Sequence, residues 1–244
     1  MSMGRMSIAL HEWMTQSMSV KQGAAFGGLN HCQLVAIWDK SADKGCSQGP
    51  ITRFSSTFEV PLPPSVNGQQ HLFIFNGLQS PSARSDRANI CPVLRWGIDG
   101  QEWSIVGSYV AQSGNGEAAV ASKPLLVKPG DRLSSVIELQ SRENNRYIYT
   151  LRFDSFDSTS LTVMLDHELS LAGFAFEAFN INECMNLPNY SSTIFNSITI
   201  EVENERIMPS WSIHNQVNRC GAKIIVEPAG DVDANVIFQY RQDR

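Results

Sequence analysis

Arg132-Leu133-Ser134-Ser135-Val136-Ile137-Glu138-Leu139-Gln140, followed across Glu143-Asn144-Asn145-Arg146 by Tyr147-Ile148-Tyr149-Thr150-Leu151-Arg152-Phe153-Asp154, decides the fold class. In the second run Tyr147, Tyr149, Leu151 and Phe153 share one parity, and Thr150, Arg152 and Asp154 share the other. That period of two belongs to a half-buried strand and not to a helix. Lys128-Pro129-Gly130-Asp131 leads into the first run, and the asparagine pair separates the two. Proline presets φ, while glycine and asparagine tolerate positive φ, so both boundaries read as turns and the pair as a hairpin.

The same pattern extends outward. Candidate strands are Gln33 to Trp38, Arg53 to Val60, His71 to Phe75, Val93 to Trp96, Trp103 to Ala111, Leu125 to Val127, Thr159 to Leu165, Leu171 to Phe179, Ser197 to Val202, Lys223 to Glu227 and Val236 to Tyr240. Ser113-Gly114-Asn115-Gly116 supplies a further turn, and the Gln79 to Asn89 stretch reads as a long connection suited to a binding loop. The expected fold is all-β: a two-sheet antiparallel β-sandwich with one concave face forming a pocket. Residues 21–244 are expected to form a single sandwich domain. In residues 1–20 the spacing of Met6, Ile8, Leu10, Trp13 and Met14 leaves an arm with some helix, or a disordered segment, as the alternatives.

Composition narrows the function. With 42% hydrophobic and 18% charged residues in 244, the chain can bury a core without a staple. A net charge of −5 with no basic cluster argues against nucleic acid and anionic membrane as partners. The N-terminus lacks the apolar run of a secretory signal, so a cytoplasmic protein is expected. Cys32, Cys46, Cys91, Cys184 and Cys220 are scattered singly and read as reduced thiols, although Asn189-Tyr190-Ser191 would be a glycosylation acceptor in an exported chain. The five histidines show no ligand-like spacing, and Asp166-His167-Glu168 reads as a solvated strand end, so no metal and no cofactor are expected.

Two residues stand out from their surroundings. Arg95 lies in Ile90-Cys91-Pro92-Val93-Leu94-Arg95-Trp96-Gly97-Ile98-Asp99-Gly100, with Leu94 and Trp96 on one strand face and Val93 and Arg95 on the other. It is either the cation of a groove floor or an arginine that stacks and pairs structurally. Glu177 is the one carboxylate in Leu171-Ala172-Gly173-Phe174-Ala175-Phe176-Glu177-Ala178-Phe179. Such a glutamate forms a buried ion pair, sits on an exposed face, or works as a general acid or base in a cleft.

Taken in order, several segments resemble the glutamic peptidase (eqolisin) family. They are Ser55-Ser56-Thr57-Phe58-Glu59-Val60-Pro61, Phe75-Asn76-Gly77-Leu78-Gln79, Val93-Leu94-Arg95-Trp96-Gly97, Leu125-Leu126-Val127-Lys128-Pro129-Gly130-Asp131, Phe176-Glu177-Ala178-Phe179 and Phe195-Asn196-Ser197-Ile198-Thr199-Ile200. The resemblance implies a concanavalin A-like (jelly-roll type) sandwich, with Glu177 at the catalytic glutamate and Arg95 where the family carries its catalytic glutamine. An arginine has donors and no acceptor, so the implied scaffold is retained while the peptidase apparatus is altered.

The leading expectation is therefore a small-molecule acid/base enzyme of isomerase, cyclase or lyase type in a biosynthetic setting. In it Glu177 and Arg95 are catalytic, and Phe75, Asn76, Gln79, Trp96, Trp103 and Tyr109 bind substrate. One alternative is a carbohydrate-binding, lectin-like module in which rings beside Asn76, Gln79 and Gln101 hold a sugar. Another is a divergent glutamic endopeptidase in which Gln79 or Gln101 supplies the amide. A homodimer through edge strands is compatible with each.

Overall fold

The structure is a computed structural model that describes residues 31–240, apart from 44, 48, 82–85, 114–115, 190–191, 216–218 and 229–233. The expectations for the 1–20 arm, for the centre of the Ser113 to Gly116 turn and for Tyr190 and Ser191 of the glycosylation motif lie outside those residues.

Strands are numbered along the chain. The first sheet runs in the order β14 (Ser212–Asn215), β1 (His31–Asp39), β11 (Leu171–Phe179), β3 (His71–Gln79), β4 (Arg87–Trp96), β5 (Trp103–Ser113) and β6 (Gly116–Ala121), and β7 (Leu125–Val127) also pairs with β5. The second runs β10 (Phe156–Leu165), β9 (Arg146–Phe153), β8 (Arg132–Glu143), β2 (Ile51–Glu59), β12 (Ser192–Val202), β16 (Ala234–Gln239) and β15 (Lys223–Pro228), with β13 (Glu205–Ile207) on β12. Every pairing described is antiparallel, as expected for an all-β sandwich.

Local chemistry explains the turns. Asn144 and Asn145 both hold positive φ, 50° and 64°, which is the two-residue hairpin geometry that follows strand twist. At Lys128-Pro129-Gly130-Asp131 the Asp131 carboxylate accepts the Lys128 N–H at 2.7 Å, and Gly130 takes φ +85°. The connection expected from Gln79 to Asn89 is confined to residues 80–86, because β3 continues to Gln79 and β4 begins at Arg87.

The sheets meet through one face of each. From the first come Leu72, Ile74, Leu78, Leu94, Trp96, Trp103, Ile105, Phe174 and Phe176; the second contributes Phe54, Phe58, Ile137, Tyr149, Leu151 and Phe195 among others. Gly107 permits close approach, because a Cβ there would lie 2.5 Å from the Thr159 carbonyl oxygen. The outward face of the first sheet is also apolar. Val35, Phe73, Phe75, Cys91, Val93, Val106, Val110 and Ala175 form a separate buried cluster, joined by Ile98. All nine residues of β3 and eight of nine in β11 are buried, so both strands read as unbroken apolar runs and not as alternation. By contrast, the outward face of the second sheet is polar, with Arg53, Glu138, Arg152 and Asp154 forming a chain of ion pairs.

One cysteine expectation is corrected. Cys184 and Cys220, 36 residues apart in sequence, form a disulfide with Cα atoms 5.4 Å apart, because the short 3₁₀ turn Cys184–Asn186 is carried to the entry of β15. Cys32, Cys46 and Cys91 remain thiols. No helix among the described residues is long and apolar enough to cross a membrane.

Candidate functional site

Strand register decides which polar groups can meet. On the outward face of the first sheet, Gln33 lies opposite Glu177, Glu177 opposite Phe73, Phe73 opposite Arg95, and Arg95 opposite Ser104. Directly paired residues on adjacent strands point the same way, so these five side chains form one transverse row. Glu177 and Arg95, 82 positions apart in sequence, thus share a face with the Phe73 ring between them. Two strand spacings put their Cα atoms roughly 10 Å apart.

Each charge is held by a neighbour. Gln33 Nε2 donates to Glu177 Oε1 at 2.9 Å, and Glu177 has no exposed surface. Arg95, 4% exposed, donates through Nε to Ser104 Oγ at 3.1 Å and through Nη2 to the Asp99 carboxylate, and Ser104 Oγ also donates to Asp99 at 3.2 Å. Gly97 makes this arrangement possible. Its φ of +80° turns the chain back beyond Trp96, and a Cβ there would lie 2.2 Å from the Gln70 carbonyl oxygen.

The remaining expected site residues are divided by strand parity. Phe75 lies on the same face as Glu177, fully buried. Gln79 has the same parity but lies six residues along β3 from Phe73, roughly 20 Å from the row. Asn76 faces the second sheet, where its Oδ1 accepts from Ser135 Oγ at 2.5 Å. Trp96 and Trp103 pack together in the intersheet core with ring centroids 5.4 Å apart, and half-buried Tyr109 packs against that core. Burial, with the Asp166 charge second, raises the Tyr109 phenol. Gln101 is exposed in the turn between β4 and β5.

Sequence reasoning missed Gln33 and Asp99. Gln33 had a usable signal, since it is the lone amide in the apolar run Cys32 to Trp38, just as Glu177 is the lone carboxylate in its own strand. Asp99 four residues beyond Arg95, across a glycine, was a candidate return contact.

Burial disfavours the thiolate form of both buried thiols. Cys91 shares the outward face, and burial, with the Glu177 charge second, raises its pKa well above the ordinary value. Cys32, on the core face, is pushed up to about 12 by burial.

His31 begins β1, the strand that carries Gln33, and stacks on Phe179 with centroids 4.6 Å apart. Burial lowers its pKa to about 4, and burial moves His214 in the same direction. The unfolded chain therefore takes up protons near pH 6.5 that the folded chain resists until about pH 4, and stability falls as pH falls through that window. The urea midpoint is expected to drop less steeply across this range in His31→Gln than in wild type. Identical slopes would show that His31 does not contribute.

An antiparallel sandwich with a buried glutamine–glutamate pair and a carboxylate-held arginine on the outer face of one sheet is the class that fold and site define. No protein-family model and no curated protein sequence matches the chain. Among solved structures, it is similar to Scytalido-glutamic peptidase bound to a peptide-based transition-state analogue, with 12% identity over 85% of this chain and 97% of that one, at TM-score 0.48. A second structure of Scytalido-glutamic peptidase, with a transition-state analogue inhibitor, gives TM-score 0.47 at the same identity and coverage. SCP-B, a member of the eqolisin family of peptidases in complex with the tripeptide Ala-Ile-His, matches at 12% identity over 85% of this chain and 96% of its own, TM-score 0.44. Residue roles in this chain rest on its own geometry.

Proposed function

We propose that the protein is an acid/base enzyme acting on a small organic substrate, with Glu177 as the proton-transfer group and Arg95 as the stabiliser of developing negative charge. The observation that carries this reading is the transverse row Gln33, Glu177, Phe73, Arg95, which places a carboxylate and a guanidinium on one face outside the intersheet core. Phe73, Glu177 and Arg95 are all buried, so the reading requires this face to open; a planar substrate then lying over Phe73 would present a C–H to Glu177 while its carbonyl or leaving oxygen points toward Arg95. The Gln33 N–H fixes the orientation of the carboxylate through one of its oxygens. Isomerisation, cyclisation and elimination all use this division of labour. The Cys184–Cys220 bond favours an oxidising compartment over the cytoplasm for this activity.

5-Nitrobenzisoxazole tests the reading, because its ring opening needs only a base at carbon and stabilisation of a phenoxide. The wild-type protein is expected to open it on the order of 10²-fold faster than acetate at equal concentration and pH. Since Glu177 has no exposed surface, the assay also reports access to it. A rate no greater than acetate's overturns the proposal.

A second reading has one specific observation behind it. The Gln33 amide on Glu177 pairs the two functional groups that the resembled family uses to activate water, although the amide comes from β1. Under that reading a denatured protein is cleaved somewhere between about pH 2 and neutrality, and cleavage is lost in both Gln33→Ala and Glu177→Gln. No cleavage across the range removes it.

A further inference from the structure

The connection between β10 and β11 does not behave as a solvated strand end. Glu168 turns toward Lys40, 3.4 Å from its Nζ, while Asp166 and His167 turn the other way, toward Asp86 at the start of β4. The His167 side chain is only 10% exposed, against 81% for Asp166 and 43% for Asp86. Strand alternation fails here because the residues lie beyond the end of β10 at Leu165.

We propose that Asp86, Asp166 and His167 bind a divalent first-row transition metal ion of the zinc type. The imidazole is held from behind: His167 Nε2 lies 2.7 Å from Ser80 Oγ, and Ser80, fully buried, is itself fixed to the backbone by accepting the Ala88 N–H at 2.7 Å and donating to the Ala88 carbonyl at 3.2 Å. An outer hydrogen bond that sets tautomer and ring orientation is the support that metal-ligating histidines have. The remaining nitrogen, Nδ1, faces Asp166 Oδ1 at 2.7 Å and Asp86 Oδ2 at 4.0 Å, and all three donor atoms lie within 4.8 Å of one another. Donors about 2.1 Å from a single ion stand roughly 3.0–3.5 Å apart, which the two observed separations bracket.

The hydrogen bonds around Ser80 accommodate the ligating tautomer. When Nε2–H donates to Ser80, the hydroxyl's single hydrogen goes to the Ala88 carbonyl and its two acceptor sites take His167 and the Ala88 N–H, so its capacity is filled. In that tautomer Nδ1 presents its lone pair on the side of Asp166 and Asp86, which is the form in which a neutral imidazole ligates a metal ion. Two carboxylates converge there with the imidazole. In the opposite assignment Ser80 donates to Nε2 and Nδ1–H donates to Asp166, and ion binding would displace that Nδ1 proton. One imidazole with two carboxylates suits Zn²⁺, Co²⁺ or Mn²⁺, and is too few oxygens for Ca²⁺. The ion would tie the start of β4 to the β10–β11 connection and is independent of the role proposed for Glu177.

Calorimetric titration of the chelator-treated full chain with Zn²⁺ tests this. Uptake of one ion per chain is expected, together with a rise in Tm of about 5–10 °C at a hundredfold excess over Kd. Binding should weaken at least tenfold in His167→Ala and Asp86→Asn, and by about 10- to 100-fold in Ser80→Ala. Should the buried His167 or Ser80 variant fail to fold, Asp86→Asn, at a partly exposed position, carries the test. Absence of uptake by the wild type, or equal uptake by Asp86→Asn with the ion held elsewhere, such as Cys46 or another histidine, overturns the proposal.

Discussion

Glu177→Gln is expected to lower the ring-opening rate of 5-nitrobenzisoxazole by about 10²- to 10⁴-fold, the usual contribution of positioned proton transfer, equivalent to about 3–5 kcal/mol of barrier. The substitution keeps the side chain's size and a carbonyl oxygen that can still accept from Gln33 Nε2, which now spans 2.9 Å. It removes only the group that can take a proton. Because the residue packs on the outward face with Phe73 and Ala175 and not in the intersheet core, Tm should stay within a few degrees. A variant that keeps its fold and its rate would exclude Glu177 as the base. A rate lost only in step with a large fall in Tm would show a structural contribution instead. The pairing of kinetics with melting separates the two.

Phe174→Ala is expected to have the largest effect on stability, about 3–5 kcal/mol, lowering Tm by roughly 6–20 °C. Phe174 projects from the first sheet into the core with no exposed surface. Its ring meets Phe54 edge-on at 5.3 Å and tilts against Phe195 at 4.9 Å, both in the second sheet, and against Trp211 at 5.3 Å. Truncation leaves a void where two rigid sheets meet, and neither can move inward without breaking its own ladder of hydrogen bonds. A loss below about 1 kcal/mol, measured by urea denaturation, would mean that the sheets are not held together at this knot.

The strands were legible because each carries its own local signal. Leu125–Val127 and Leu171–Phe179 match their expected limits, and the hairpin at Asn144 and Asn145 follows from the tolerance of asparagine for positive φ. Gly116–Ala121, Glu205–Ile207 and Ser212–Asn215 were not anticipated. The first is alanine-rich, and the other two are short and polar with no buried residue, so neither apolar period nor β-branched enrichment marks them. The parity of Val93, Leu94, Arg95 and Trp96 was also readable, and it places Arg95 on the face opposite the tryptophans. The aromatic residues expected around a substrate belong mostly to the core, because a ring beside an arginine in sequence lies on the other side of the sheet.

The alternating side chains and turn residues of this chain were enough to define a two-sheet antiparallel sandwich, since period and turn chemistry act within a few residues. Which strands become neighbours is a different matter, decided by non-local pairing between β1, β11, β3 and β4. Only that pairing brings Gln33 to Glu177 and sets Glu177 and Arg95 in one row across Phe73, and the Cys184–Cys220 bond and the approach of His167 to Asp86 are likewise contacts between segments distant in sequence. Register is a property of two strands together, and neither strand's own sequence contains it.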